Sequence, residues 1–465
     1  MRYRRGPWQS YWMREALADE RPGPSETLRG RHAVDVCVVG GGYTGLWTAI
    51  ELKTREPGVE VAVIEGQLCG SGASGANAGY LMNLWPKYSF LDALVGRQEA
   101  LRLARASSDA VDEIIEFCQA KGIDAGIRRE GWLWTSTSPA QDGAWTDTQS
   151  VLDGVAECPL REVGPAEALR LGGIGARGGV FDPTAATLQP ALLARGLRRA
   201  ALDLGVQVFE DTPVRTVSEK PGSAVVHTDT GEVRADGVVL AINAWMAGFP
   251  SVRKRMVVTA SDNLVTRALP GELLEQAGQD GIGVSDSTRL LNYWRTTGDG
   301  RLLFGKGGVG LGFGACGADS MFGPASKRTP LGQELRRILP MATRAGVQDT
   351  WRAPVEYSLT SLPFFEALPG HERVFYGAGY SGDGVGPARL GGKILASLVL
   401  REQDEWSQCG LVRPPQGWLP PEPFRFLGGQ LVKSALLRIE AAENAGRTPH
   451  LLARTLGRLD PTNWV

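Results

Sequence analysis

Histidine and paired cysteines are scarce in this sequence of 465 residues. Its four histidines (His32, His227, His371 and His450) are not at metal-ligand spacing from one another, and its six cysteines include no C-x-x-C pair. We therefore expect no metal site, and the scattered cysteines are typical of reduced thiols in a reducing compartment. The G-x-S-x-G elbow of serine hydrolases is also missing. Any chemistry is expected to come mainly from a bound cofactor.

Long apolar runs and an excess of one charge are missing too. The 50 basic and 51 acidic residues give a formal net charge of −1, so nucleic acid is not expected as a partner. The longest apolar runs fall well short of the roughly 18 residues that a membrane-spanning helix requires. Arg4 and Arg5 are followed by polar and aromatic residues, unlike a secretory signal. We expect a cytoplasmic protein, long enough for two domains.

Glycine, by contrast, is abundant, and the spacing G-x-G-x-x-G occurs six times among the 61 glycines. The matches start at Gly40, Gly70, Gly173, Gly305, Gly312 and Gly377. Most such matches arise from turns, and only a strand before the glycines and a helix after them indicate a nucleotide site.

The match at Gly40 has this context. Residues 34–39 form an apolar run typical of a buried parallel strand, residues 46–52 have helical periodicity, and residues 61–64 form a second apolar run. In such a unit Gly40 permits the turn, Gly42 lets a pyrophosphate approach, and Gly45 allows close helix packing. The helix N-terminus supplies free N–H groups for phosphate. Glu65, at the end of the second strand, is placed to bind ribose hydroxyls and disfavours NADP.

Two other matches predict parts of the same site. RVFYGAGYSGDGVGPARLGGKILASLVL, which contains Gly377, predicts a strand, a glycine loop and a helix whose N-terminus faces another part of the ligand. GSGASG, which starts at Gly70, predicts a flexible segment that runs past the cofactor. The remaining three matches lack a following helix.

Nucleotide-binding pieces at the start, middle and end of the chain predict a discontinuous domain. The fold class is mixed α/β: a Rossmann-type nucleotide-binding domain of residues 1–95, 160–247 and 346–400, with an inserted β-sheet domain of residues 96–159 and 248–345. Residues 401–465 form a helical C-terminal extension.

The chain resembles the D-amino-acid-oxidase-type flavoprotein superfamily over residues 10–400, and within it the gamma-glutamylputrescine-oxidase-like branch. The resemblance lies in colinear motifs: VVGGGYTGLWTA, IEG, GASGANAG, VVLAINAW and GAGYSGDGVGPARLGGKILA. It implies that the discontinuous domain binds FAD and that the inserted domain is an antiparallel β-sheet domain for the substrate. It also implies oxidation of the C–N bonds of amines or amino acids, in which hydride passes to flavin N5, the imine hydrolyses, and O2 or another acceptor reoxidises the flavin.

The resemblance also implies which residues hold FAD. The pyrophosphate would lie on Gly40, Gly42, Tyr43, Thr44 and Gly45; the ribose on Glu65; the middle of the cofactor on Ala73, Ser74, Gly75 and Asn77; the adenine on the backbone of Val214; and the isoalloxazine ring on Gly379, Gly382, Gly384 and Val385. Non-covalent FAD is expected, with Cys316 the one loose candidate for covalent attachment.

Three positions depart from the family pattern. Ala76 replaces an arginine before Asn77, Asp383 replaces a common histidine, and Val355, in WRAPVEYS, stands where amino-acid oxidases of the superfamily place an arginine for the substrate carboxylate. The last departure favours an amine over an α-amino acid as the substrate.

The substrate and catalytic candidates are aromatic and charged residues from both predicted domains. Tyr80, Trp132, Tyr293 and Trp351 are candidates for an aromatic pocket that desolvates the amine, or for core residues. Arg295 and Arg352 are candidates to hold a distal carboxylate, or for surface or structural arginines. Lys306 is a candidate for oxygen activation or for an exposed loop lysine, and Asp383 for contact with the amine or with flavin-bound water, or for a helix cap.

Two other functions stay open at this point. GDGVGP is compatible with a flavin monooxygenase or halogenase that uses NAD(P)H, although the sequence contains no second nucleotide fold. The chain could also be a non-catalytic FAD-binding interaction module that docks through its C-terminal helices.

Overall fold

The helices and strands follow the predicted order along the chain. The structure is a computed structural model that describes residues 9–18, 20, 26–314, 318–326 and 329–460. Its strands are β1 (Gly30–Val39), β2 (Val61–Ile64), β3 (Tyr80–Leu81), β4 (Trp132–Thr135), β5 (Arg161–Val163), β6 (Gly179–Asp182), β7 (Ala186–Thr187), β8 (Gln207–Phe209), β9 (Val214–Lys220), β10 (Ser223–Thr228), β11 (Gly231–Leu240), β12 (Met256–Thr266), β13 (Gly283–Asp286), β14 (Asn292–Thr296), β15 (Leu302–Leu311), β16 (Val347–Ser358), β17 (Phe364–Ala367) and β18 (Val374–Ala378). Its helices are α1 (Tyr11–Ala18), α2 (Tyr43–Arg55), α3 (Tyr88–Val95), α4 (Arg97–Ala120), α5 (Thr146–Leu152), α6 (Pro165–Gly172), α7 (Pro190–Asp203), α8 (Pro250–Arg253), α9 (Gly271–Leu274), α10 (Leu331–Ile338), α11 (Pro387–Leu400), α12 (Phe424–Asn444) and α13 (Leu451–Gly457).

The first sheet is built around β1, in the order β17-β18-β11-β1-β2-β8. The strands from β18 to β8 are parallel, β17 is antiparallel to β18, and β9 and β10 form a hairpin on β11. β1 begins at Gly30, four residues before the predicted strand, because its first residues pair with β11 from Gly231 onward. The carboxyl end of β1 leads into α2, the edge where open α/β sheets bind nucleotides.

The predicted helices cover this sheet. α11 approaches α2 so closely that a Cβ on Gly392 would lie 2.7 Å from Cβ of Trp47. The helix expected over residues 97–121 is α4, and its buried residues Leu103 and Val111 share one core with Trp47 and α7. α4 therefore belongs to the layer of the first sheet, and not to the substrate domain in which its sequence position placed it.

The second sheet has the order β16-β12-β15-β14-β13-β4-β6-β5 and is mostly antiparallel, as predicted, with one parallel pair between β4 and β13. It recruits β5, β6 and β16, which the predicted boundaries assigned to the FAD-binding domain. The structure corrects those boundaries: β6 pairs with β4, β5 pairs with β6, and β16 pairs with β12. The pairings that bring β6 to β4 and β16 to β12 are non-local, so they leave no local sequence signal.

The C-terminal extension is helical, as predicted, and packs on the second sheet. Ala435, Leu436 and Ile439 of α12 form a small core with Leu290 and with Ala453 of α13. Among the helices of the described ranges, none is long and apolar enough to cross a membrane.

Candidate active site

A cleft of about 940 Å³ runs between the two sheets. One end is formed by the glycine turn after β1 and the end of β2, and the opposite wall by residues of β4, β12, β13, β14 and β16. The loop that precedes α11 also lines it. The cleft thus brings together the motifs that the sequence separates by several hundred residues.

The glycine turn leaves no room for side chains. Gly40 has a φ of +111°, and a Cβ on it would lie 2.4 Å from the carbonyl oxygen of Ala241. A Cβ on Gly45 would lie 1.9 Å from the carbonyl oxygen of Gly40, which confirms close packing of α2 on the turn. The N–H groups of Gly42 and Thr44 make no hydrogen bond within the described residues. They are free donors for an anionic ligand at the N-terminus of α2.

Glu65 closes this turn from the end of β2. Its carboxylate accepts hydrogen bonds from the N–H of Gly41 at 2.8 Å and of Gln67 at 2.9 Å. Burial raises the pKa of Glu65, and these backbone bonds oppose the shift. A carboxylate has about four acceptor positions, so Glu65 retains capacity for a further donor.

The segment of residues 73–79 covers the turn from the other side. Ser74 Oγ accepts a hydrogen bond from the N–H of Tyr43 at 3.0 Å, and the amide of Asn77 donates to the carbonyls of Ala73 and Ser74. Trp351 supports the segment from behind by donating to the carbonyl of Ala76 at 2.8 Å. This segment is therefore held as a shaped wall of the cleft.

The loop from Gly379 to Gly386 forms the other glycine-rich wall. Gly379 and Gly382 have φ values of +85° and +93°, which favour glycine. The N–H groups of Gly382, Gly384 and Val385 make no hydrogen bond within the described part of the chain. They are available donors beside the N-terminus of α11.

Glu356 of β16 supports this loop from within. Its Oε1 accepts hydrogen bonds from the N–H groups of Gly379 at 3.1 Å and Tyr380 at 3.2 Å. Burial raises the pKa of Glu356 to about 7, and the two backbone bonds limit the shift. A carboxyl group that titrates near neutrality thus lies directly under the glycine loop and lines the cleft.

Lys87 supports the same loop from its outer side. Its ammonium lies 2.8 Å from the carboxylate of Asp383 and donates to the carbonyls of Ser361 and Ser381 at 3.0 and 3.1 Å. The hydroxyls of Thr44 and Tyr380 are 2.9 Å apart and join the loop to the glycine turn. The two glycine motifs therefore form one connected site.

An aromatic wall lies on the second sheet. Tyr80 and Tyr293 meet edge to face with ring centroids 6.2 Å apart, and Trp132 stacks on Trp134 at 6.5 Å. All four residues line the cleft. The hydroxyl of Tyr293 donates to Oδ1 of Asn263 at 2.8 Å, and burial raises the pKa of Tyr293 well above its usual range. Tyr293 is therefore neutral at ordinary pH.

Comparison with known proteins identifies the family. The sequence model of the DAO family, described as FAD dependent oxidoreductase, matches residues 35–398. The chain belongs to this family of FAD-dependent oxidoreductases. It is 29% identical to the gamma-glutamylputrescine oxidoreductase of Escherichia coli K12, over 83% of this chain and 88% of that protein. It is 27% identical to the probable oxidoreductase OrdL of Haemophilus influenzae, over 87% and 90%.

Solved structures agree on the fold. Glycine oxidase from Geobacillus kaustophilus superposes with a TM-score of 0.64 at 24% identity, over 80% of this chain and 96% of that one. Iminodiacetate oxidase from Chelativorans sp. BNC1 gives a TM-score of 0.64 at 20% identity, over 82% and 100%. The predicted superfamily, mixed α/β fold and FAD-dependent enzyme class are confirmed.

The residues of the cleft fit FAD, the cofactor of the family. The free N–H groups of Gly42 and Thr44 would hold the pyrophosphate, Glu65 the ribose, and the free donors of Gly382, Gly384 and Val385 the isoalloxazine ring. The described residues that line the cleft include no cysteine or histidine, as suits a non-covalent flavin. Cys316 lies outside the described residues.

Most of the predicted cofactor residues line this cleft. These are Gly40, Gly42, Tyr43, Thr44, Glu65, Ala73, Ser74, Asn77, Val214, Gly382, Gly384 and Val385. Gly45, Gly75 and Gly379 lie behind the lining, where a Cβ on each would collide with backbone or core atoms. Their assignment to FAD remains a prediction, and the structure gives these three a packing role.

Four of the predicted substrate and catalytic residues do not line the cleft. Arg295 is buried, donates to the carbonyls of Ala78 and Leu188, and has its pKa lowered by desolvation to about 10. Arg352 pairs with Asp262, and Lys306 pairs with Glu440. Trp351 is buried in a hydrophobic cluster with Trp12, and its indole N–H donates to the carbonyl of Ala76. Their polar groups are already used inside the protein, so we do not propose them as substrate contacts.

Sequence reasoning missed several charged residues of the cleft. Lys87, Arg289, Glu356 and Glu443 line it but lie in no glycine motif. Glu356 is adjacent to Val355, and a glutamate among the apolar and aromatic residues at the end of WRAPVEYS was the available signal. Arg289 and Glu443 gave no signal, because they lie in a loop and in the C-terminal extension.

Proposed function

We propose that the protein oxidises a C–N bond of an amine. FAD, when bound, supplies the acceptor, N5, for the hydride of the carbon that carries the amine. The residues of the chain bind and orient the amine and keep water away from it. Water then hydrolyses the imine product to an aldehyde or ketone and releases the nitrogen as ammonia or an amine. O2, which would be reduced to hydrogen peroxide, is the proposed final electron acceptor.

The observation that carries this proposal is the character of the wall beside the glycine loop. Val355 lines the cleft there, at the position where the resemblance implies an arginine in amino-acid oxidases. Arg289 is the single arginine among the described residues of the lining, and it belongs to the loop between β13 and β14. A site without a guanidinium at the position of Val355 favours an amine over an α-amino acid.

The aromatic wall supports the same reaction. Tyr80, Trp132 and Tyr293 present apolar ring surface, and desolvation by such a surface lowers the pKa of a bound ammonium group. The neutral amine has the free lone pair that hydride loss from the adjacent carbon requires. We propose that Tyr293 orients this amine. Asp383 is held by Lys87, so we propose it as a support of the glycine loop and not as a base.

The name of one relative supports an amine as the substrate. This relative is a gamma-glutamylputrescine oxidoreductase. The structural neighbours named glycine oxidase and iminodiacetate oxidase support only the oxidation of a C–N bond.

The test is an anaerobic absorbance titration of the FAD-loaded protein with gamma-glutamylputrescine, putrescine, N-methyl amines and amino acids. Loss of the flavin band with one class of amine would support the proposal. No loss with any compound, in protein that photoreduces normally, would refute it. Oxidation of NADH without an amine would instead favour a flavin monooxygenase, and re-admission of air tests O2 as the acceptor.

A further inference from the structure

Two opposite charges of the cleft lining have no partner among the residues that the structure describes. Arg289 and Glu443 both line the cleft, and neither side chain makes a hydrogen bond or an ion pair with another described residue. The two arginines that the sequence suggested for the substrate are occupied, Arg295 by carbonyls and Arg352 by the carboxylate of Asp262. Charged groups in a binding cleft without an internal partner are the groups available to a ligand.

The two residues are brought together by the contact between α12 and the loop that follows β13. The N–H of Leu290, adjacent to Arg289, donates to Oε1 of Glu440 at 2.6 Å. Glu443 follows Glu440 by three positions on α12, so it lies on the same face of the helix. Arg289 and Glu443 therefore border the same part of the cleft.

The loop that carries Arg289 is held in one conformation. Lys306 donates to the carbonyl of Leu290 at 2.8 Å, so both backbone polar groups of that residue are bound. Asp286 accepts hydrogen bonds from the backbone N–H groups of Thr288 and Asn292 at 3.1 and 2.9 Å, which closes the base of the loop. A preorganised loop of this kind loses little entropy when its arginine binds a ligand.

We propose that Arg289 and Glu443 bind a zwitterionic group, an ammonium and a carboxylate on one carbon, at the far end of the amine substrate. The guanidinium pairs with the carboxylate and Glu443 with the ammonium, while the reacting amine lies at the aromatic wall. This inference rests on the proposed oxidation of amines and narrows its substrate class. It makes the C-terminal extension, which lies beyond the family match at residues 35–398, a determinant of specificity.

The kinetic test compares two amines that differ only at the far end. Gamma-glutamylputrescine carries the zwitterion, whereas N-acetylputrescine has the same amide and amine without it. We expect Arg289→Gln and Glu443→Gln each to raise the concentration of gamma-glutamylputrescine that half-saturates flavin reduction by about fivefold. This is the effect of losing one partly exposed ion pair. The constants for N-acetylputrescine should not change. Equal effects on both amines, or none, would overturn the proposal.

A binding test separates this proposal from the proposed reaction. The ethylamide of the glutamate side chain has the zwitterion and the amide but lacks the reacting amine, and calorimetry measures its binding to the oxidised holoenzyme without turnover. Arg438→Gln removes a charge from the exposed part of α12 and should bind this compound as well as the wild-type protein does. Arg289→Gln and Glu443→Gln should bind it more weakly. If wild type does not bind it, or the cleft variants bind as well, the zwitterion site is refuted. Failure of all amines to reduce the flavin refutes the reaction instead.

Discussion

The ammonium of Lys306 lies 3.1 Å from the carboxylate of Glu440, and this buried pair joins the second sheet to α12. The side chains are 1% and 7% exposed, so each charge depends on the other for compensation. Removing one partner leaves an uncompensated buried charge, which costs about 3–5 kcal/mol in the free energy of unfolding. We expect Lys306→Met to be destabilising to this extent, as measured by chemical denaturation of the holoenzyme.

The control for that variant is the double change Lys306→Met with Glu440→Leu, which removes both charges. Replacing a whole buried pair by apolar residues is often neutral, so the double variant should recover most of the stability. If Lys306→Met alone is as stable as wild type, the pair does not anchor α12.

Gly42→Ala should weaken FAD binding without unfolding the protein. The added Cβ would lie 2.9 Å from Ser74 Oγ, where the turn and the 73–79 segment enclose the site. A methyl group there blocks the close approach of a pyrophosphate to the backbone. We expect at least about a tenfold rise in the FAD dissociation constant, a loss of about 1.4 kcal/mol, measured by flavin fluorescence on reconstitution. Gly58→Ala, at an exposed position with no atom within 4 Å, is the matched control and should bind FAD normally.

Glu356 should make stability fall as pH rises from about 4.5 to 7. Burial raises the pKa of its carboxyl group to about 7, so the folded protein keeps a proton that the unfolded chain releases above its ordinary pKa. The stabilisation is complete below the unfolded pKa and is lost as pH passes the folded one. The free energy of unfolding should fall between pH 5 and pH 8 by about 3 kcal/mol less in Glu356→Gln than in the wild-type protein, as measured by denaturation at both pH values. Glu372→Gln, at an exposed position, should keep the wild-type profile.

Lys87→Met should impair the glycine loop more than Asp383→Asn does. Lys87 binds the carboxylate of Asp383 and also the carbonyls of Ser361 and Ser381, whereas Asp383 contributes one partly exposed ion pair. We expect Asp383→Asn to lower the rate of flavin reduction by less than about fivefold, because a partly exposed ion pair contributes up to about 1 kcal/mol. Lys87→Met should lower the rate by more than Asp383→Asn does. Anaerobic stopped-flow spectroscopy with a reducing amine measures both. Abolished reduction in Asp383→Asn would restore Asp383 as a catalytic residue.

The sequence predicted most of the glycine-rich lining of the cleft, because that part is built from local geometry. The turn requires a glycine at residue 40, and the packing of α2 on that turn requires one at residue 45. Glu65 directly follows β2, whose end the sequence pattern predicts. The candidates on the second sheet fared differently. Strand periodicity indicates which face a side chain occupies, but it does not reveal whether a carbonyl or carboxylate from another strand meets it there. Arg295 and Arg352 illustrate this.

By itself, then, the sequence determined the glycine turn after β1, the order of the elements and the family, since each depends on residues close together in the chain or on colinear motifs. Only the tertiary structure decided that Glu356 lies under the glycine loop, that Lys306 pairs with α12, and that Arg289 and Glu443 border one cleft. These contacts depend on non-local strand pairing and helix docking. Their energy comes from burial and charge compensation between distant segments, which local residue spacing does not encode.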